Sequence, residues 1–147
     1  MGQIKKSLIL SLALFFNLLI TGCVAVKTVD KYVYFGEKKI TVELVTTEAD
    51  KAKGLSDRQS LCADCGMLFV YNTPSAHNFW MKNMNFPLDI IWLKDNQIVG
   101  ISENLLPATN QPTDIYASPG PVNAVLEVNA GFVAKTGVKV GDDMRVE

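Results

Sequence analysis

Residues 38–46, KKITVELVT, place Ile40, Val42 and Leu44 on one side of an extended chain and Thr41, Glu43 and Val45 on the other. Successive side chains of a strand point to opposite faces, so this alternation is the period of a half-buried strand. Working outward, Tyr32 to Phe35 is its partner, joined through a turn that contains Gly36. On the other side, Thr47-Glu48-Ala49-Asp50 sets a hydroxyl cap three residues ahead of an acid. That predicts a short helix running to about Lys53 and stopping at Gly54.

Further along, Met67 to Tyr71 (MLFVY) is a continuous apolar run that reads as a strand buried on both faces and ended by Asn72-Thr73-Pro74. His77 to Met81 and Leu88 to Leu93 are further strands, and Asp95-Asn96 supplies turn chemistry for a hairpin into Gln97 to Ile101. Leu105 to Gly120 contains Pro107, Pro112 and Pro119 and reads as a long surface loop. Val122 to Val128 is a strand, Asn129 to Thr136 a short helix closed by Gly137, and Met144 to Val146 a last strand. The expected fold is mainly β, a single antiparallel sandwich or partly closed barrel with two short helices. No nucleotide-binding βαβ pattern and no internal repeat occurs.

The chain has 147 residues, 14 basic and 15 acidic, with a net charge of −1, so it offers no electrostatic reason to expect nucleic acid as a partner. With 48% apolar and 20% charged residues it is far from the composition of a disordered chain, and the length allows one compact domain.

The first 22 residues read as a lipoprotein signal peptide. Lys5 and Lys6 form a cationic start, Ser7 to Thr21 is an uncharged apolar run of signal-core length, and Ile20-Thr21-Gly22-Cys23 resembles a lipobox. Acyl chains on Cys23 hold a domain on a bilayer through about 0.8 kcal/mol per buried methylene. An uncleaved anchor helix extended by Val24 to Val26 is the alternative. Either reading expects a membrane-attached domain in the cell envelope, outside the cytoplasm, at the periplasm or cell surface. Residues 23–30 then form a tether and 31–147 the β-rich domain.

Six ordered stretches carry a family likeness: Val42-Glu43-Leu44-Val45, Gly54-Leu55-Ser56-Asp57-Arg58, Gly66-Met67-Leu68-Phe69-Val70-Tyr71, Phe79-Trp80-Met81-Lys82-Asn83, Phe86-Pro87-Leu88-Asp89-Ile90-Ile91 and Val125-Leu126-Glu127-Val128-Asn129-Ala130-Gly131. Together they resemble the domain of unknown function 192 family, from about Thr41 to Val146. The resemblance implies a small, mostly β, secreted or membrane-attached bacterial or archaeal domain without an assigned chemistry. Met84 departs from the family pattern, where Thr is usual, and Cys62 and Cys65 are outside the common motif.

Three groups of residues could carry chemistry. Cys62-Ala63-Asp64-Cys65 suits a structural disulfide in an oxidising compartment. Free thiols are a second reading, and a redox or zinc site a third. Against the third, the motif runs into Gly66 and a strand instead of opening a helix, and a zinc site needs four ligands. His77, Met81 and Met84 could form a soft set for Cu(I), although Met81 alternating with Phe79 reads better as core filler. Lys82, Asp89 and Glu127 sit inside apolar runs, where an isolated charge costs several kcal/mol unless it is paired or reaches water in a hollow. One reading makes them ion pairs that brace the strands, with Arg58 a further partner. The other makes Trp80, Lys82, Asn83, Asp89 and Glu127 a binding site for a small molecule or an envelope protein. A hydrolase acting on envelope material through Asp89 and Glu127 as acid and base requires both carboxylates in one cleft. No Ser lies in a nucleophile-elbow motif, no glycine-rich phosphate loop occurs, and the reading calls for no cofactor.

Overall fold

The computed structural model describes residues 30–108 and 114–147. The apolar start, Cys23 and nearly all of the tether lie outside these residues, as does the middle of the connection expected over 105–120. The elements are β1 (Asp30–Phe35), β2 (Lys38–Val45), α1 (Glu48–Lys53), β3 (Cys65–Ser75), β4 (Asn78–Trp80), β5 (Leu88–Lys94), β6 (Gln97–Leu105), β7 (Ile115–Ala117), β8 (Val122–Asn129), α2 (Phe132–Thr136) and β9 (Arg145–Val146).

Seven strands form one curled sheet in the order β6-β5-β8-β3-β2-β1-β9, a half-barrel, while β4 and β7 pair as a separate small sheet. The fold is therefore mainly β with two short helices, on the partly closed barrel side of the expectation. Segment 141–147 draws the two ends of the sheet together. Ile98 N–H donates to Asp142 O, Gly141 N–H to Ile98 O and Met144 N–H to Asn96 O, while Arg145 pairs with Tyr34 of β1. Six consecutive pairings and this clasp leave β6 little open edge near its start.

Local chemistry sets the connections. Asp95 and Asn96 both have positive φ (52° and 68°), which asparagine and aspartate tolerate and a tight two-residue hairpin needs. Thr47 caps α1 by accepting from Asp50 N–H, and Gly54 (φ 50°) ends it. The pairing of β2 with β3 is parallel, a departure from an all-antiparallel sheet. Parallel neighbours need a crossover, and the segment carrying α1 makes it.

Two further details differ from the sequence reading. Pro74 does not end β3, which continues to Ser75 through a register shift against β8 between Val70 and Ser75. A bulge is where a strand accommodates proline, because the missing N–H is not required there. The 105–120 connection is also not all loop, since Ile115–Ala117 forms β7 against β4.

The central strands are buried on both faces, as MLFVY implied. Leu68, Ile91, Leu126 and Val128 point into the barrel with Val33, Val42, Phe132 and Met144. Met67, Phe69, Ile90, Trp92 and Val125 point outward into a second cluster with Leu55, Phe79, Met81 and Met84. Each such burial contributes about 1.5–3 kcal/mol. Gly66 is required where β3 meets β8, because a Cβ there would stand 2.9 Å from the Glu127 carbonyl oxygen.

Candidate functional site

The pairing register places Glu43 of β2 beside Met67 of β3, Met67 beside Glu127 of β8, and Glu127 beside Ile90 of β5. These four share the outward face. Strands lie about 4.8 Å apart, so the Cα atoms of Glu43 and Glu127 are separated by roughly 10 Å. The turn after α1 brings Arg58 over this row. Its guanidinium forks onto the Glu43 carboxylate, Nη1 to Oε1 at 2.5 Å and Nη2 to Oε2 at 2.7 Å. Hydrogen bonding from Arg58, with its charge in support, holds the Glu43 carboxyl below its ordinary value.

Glu127 has no such partner. Its side chain is buried, with the residue only 6% exposed, and Oε2 makes no hydrogen bond among the described residues. Desolvation pushes its carboxyl up to about 8 against the opposing pull of Arg58. Near neutral pH it is mainly an uncharged acid. It lies on a cavity of about 90 Å³ between α1, β3 and β4, walled by Phe69, Tyr71, Phe79, Trp80 and Met84, with Lys51 and Lys53 also lining it. Trp80 is 50% exposed. Lys51 sets its ammonium over the Tyr71 ring at 4.3 Å and pairs with Glu48 at 2.9 Å. Burial, then the charges of Glu48 and Glu127, push the Tyr71 hydroxyl to about 12. On the far side of the Gly54 turn an open groove of about 430 Å³ runs past Glu43, Lys53, Ser56, Asp57 and Arg58.

The sequence-derived candidates separate cleanly. Trp80 and Glu127 meet at one cavity. Lys82 and Asn83 are exposed on the following turn, where Ser56 Oγ donates to Lys82 O and Asp57 N–H to Asn83 O. Asp89 is elsewhere. It pairs with Val128 on the barrel-facing side, is 0% exposed, and accepts from Asn104 N–H at 2.9 Å and Val133 N–H at 3.0 Å. Gly131 begins α2 without a side-chain cap, and Asp89 supplies that acceptor from a distant strand. Asp89 and Glu127 therefore occupy opposite faces of one sheet, and the acid–base pairing expected of a hydrolase does not form. The strand period explains this: an odd residue of β5 and an odd residue of β8 face the same way only if the register pairs them, and here Asp89 pairs with Val128.

The soft-cation set is likewise spent on packing. Met81 is core, Met84 nearly so, and the His77 ring stacks on Tyr71 with centroids 3.6 Å apart while its Nε2 meets Ser75 Oγ at 2.9 Å. Burial lowers the His77 pKa. Cys62 and Cys65 are joined as a disulfide with Cα atoms 5.1 Å apart.

The chain matches the domain of unknown function 192 family, described as "Uncharacterized ACR", over residues 32–146. It belongs to that family. Two crystal structures are similar to this member of it. A Sinorhizobium meliloti protein described as a candidate transcription regulator is 33% identical, with a TM-score of 0.72, covering 80% of this chain and 92% of its own. A protein of unknown function from Novosphingobium aromaticivorans is 36% identical, with a TM-score of 0.70, covering 80% and 84%. No curated protein matches.

What sequence reasoning did not bring together is Glu127 with Lys51, Tyr71 and the Glu43–Arg58 fork. The signal was partial. Thr47 and Gly54 bounded α1 correctly, but only the parallel pairing of β2 with β3 lays that helix against the outward face of β3.

Proposed function

We propose that this protein is a lipid-anchored, extracytoplasmic domain that binds a small ligand at the cavity between α1 and β4. The observation that carries the binding reading is Glu127: a buried carboxyl oxygen without a partner, on a cavity that opens beside the exposed Trp80. Leaving such a group unsatisfied costs about 1–3 kcal/mol, a cost that a bound group would relieve. Aromatic walls with one convergent polar group are also the usual make-up of a small-molecule site. The Glu43–Arg58 fork and Ser56 extend polar contacts along the adjoining groove. Lys82 and Asn83 lie on the turn between Trp80 and Met84, two residues that line the cavity, and Asp89 supports the site only by holding the scaffold.

The anchoring reading rests on the charge, length and Cys23 boundary of the first 23 residues. A fragment screen read by two-dimensional NMR tests the binding reading: saturable shifts at the Trp80 indole and Met84 methyl, diminished in Trp80→Ala, support it, and their absence across chemically diverse fragments rejects it. Metabolic labelling with a radioactive fatty acid tests the anchor. Label and membrane association lost in Cys23→Ala support it, and membrane association kept by that variant counts against it.

A further inference from the structure

We propose that the cavity beside α1 takes a carboxylate group, with the Glu127 carboxyl donating a hydrogen bond to one of its oxygens. This rests on the ligand-binding reading of the same cavity and adds the chemical class of what enters it. Three observations point the same way. First, the free atom is a carboxyl oxygen, buried and unpartnered, so the occupant must offer a hydrogen-bonding group at that point. Second, the residues lining the cavity include two cations, Lys51 and Lys53, and one acid, Glu127 itself. Third, the space is about 90 Å³, roughly the liquid volume of three waters, which suits a group of a few heavy atoms.

The surroundings choose between ligand classes. The ionisable groups around the cavity are Lys51 and Lys53 from α1 and Tyr71 from β3, which line it together with Glu127, and Arg58 from the turn after α1, whose charge acts on Glu127. Glu48 and Glu43 stand behind as the partners of Lys51 and Arg58. The neighbouring position on β5 is Ile90, and β4 contributes Asn78, Phe79 and Trp80, none of them ionisable. An entering ammonium group would meet Lys51 and Lys53 and would have to displace a proton from Glu127 to gain a counter-ion. An entering carboxylate meets the two lysines favourably and leaves the proton where burial already holds it. The bond that results is an O–H···O⁻ contact, charge-assisted and shorter than a neutral one. Aromatic walls exclude water from it and accommodate an apolar stem.

The test uses propionate as the probe, with propylammonium and propanol beside it, on the full chain in a non-ionic detergent between pH 6 and 9.5. The readouts are the Trp80 indole and Met84 methyl signals. Propionate should bind saturably, with an association constant that is level below pH 7 and falls about tenfold per pH unit above pH 8. His77, lowered by burial from 6.5, and Tyr71, near 12, do not account for a fall that sets in above pH 8. Glu127→Gln keeps a donor and loses the titration, so it should retain propionate affinity within a few-fold and show no pH dependence. Preferential binding of propylammonium, rising with pH and lost in Glu127→Gln, would overturn the carboxylate assignment while leaving a ligand site. So would propanol binding as well as propionate. If none of the three probes moves either signal, both the carboxylate assignment and the binding reading fail.

Discussion

Replacing Glu127 by Gln should make the protein more stable at neutral pH, although it alters a buried polar side chain. The folded carboxyl titrates at about 8 against an ordinary value of 4.5. Between those two values the folded state binds more protons than the unfolded state, so unfolding free energy falls as pH rises. Each pH unit costs about 1.4 kcal/mol, so the loss relative to pH 4.5 is about 3 kcal/mol at pH 7 and levels near 5 kcal/mol above pH 8. Gln is nearly isosteric, cannot ionise, and leaves a comparable unpartnered oxygen, so the local hydrogen-bond deficit roughly cancels. The variant should match the parent at pH 4.5 and exceed it by about 2–3 kcal/mol at pH 7, a rise in Tm of roughly 10 °C for a domain of this size. Urea unfolding from pH 4.5 to 8.5 measures the difference directly. Parallel stability curves for the two proteins would mean that Glu127 is solvated or paired, and would remove the basis for the site.

Three other perturbations separate scaffold from site. Asp89→Asn places an amide against one of two backbone N–H donors, should cost about 2–4 kcal/mol, and should loosen α2, seen as faster hydrogen exchange at Val133, while probe binding at Trp80 persists. Arg58→Ala breaks the fork onto Glu43 at a site about a third exposed; after solvent screening the loss is about 1 kcal/mol, shrinking as the pH falls below the ordinary Glu43 value of 4.5, and NMR titration should find the Glu127 carboxyl raised further. Gly66→Ala drives a methyl to 2.9 Å from the Glu127 backbone oxygen and 3.0 Å from Leu126, so it should cost about 2–4 kcal/mol in denaturant unfolding; a change below 0.5 kcal/mol would show that β3 and β8 can separate cheaply.

Much of the architecture was legible because local chemistry specifies it. Thr47 and Gly54 bound α1, Asp95-Asn96 forms the hairpin, and the continuous apolar run at Met67 marks a strand buried on both faces. Register was not legible. A strand's period assigns residues to alternate faces, yet only pairing decides which faces coincide, and Asp89 opposite Val128 instead of Glu127 dissolved the acid–base hypothesis. The same limit concealed the row of Glu43, Met67, Glu127 and Ile90, four residues drawn from strands far apart in the chain. β7 escaped notice because three residues among prolines give too short a window for periodicity, and the strand exists through its pairing with β4.

The two buried acids of this domain show how one fold treats the same functional group in opposite ways. Asp89 lies inside the barrel, where α2 begins without a cap and β6 turns through Asn104 at positive φ, so two backbone donors converge on it and its burial is compensated. Glu127 lies across the sheet on a face whose ladder hydrogen bonds run between strands, within the sheet, leaving no backbone donor to meet a side chain that stands out of it. Among the described residues its electrostatic support is Arg58, already committed to Glu43. A carboxyl whose burial serves packing would be replaceable by Met or Leu with a gain in stability. The residue that would gain most from such replacement is the one that borders an accessible cavity, and that coincidence is the physical reason to look for a ligand there.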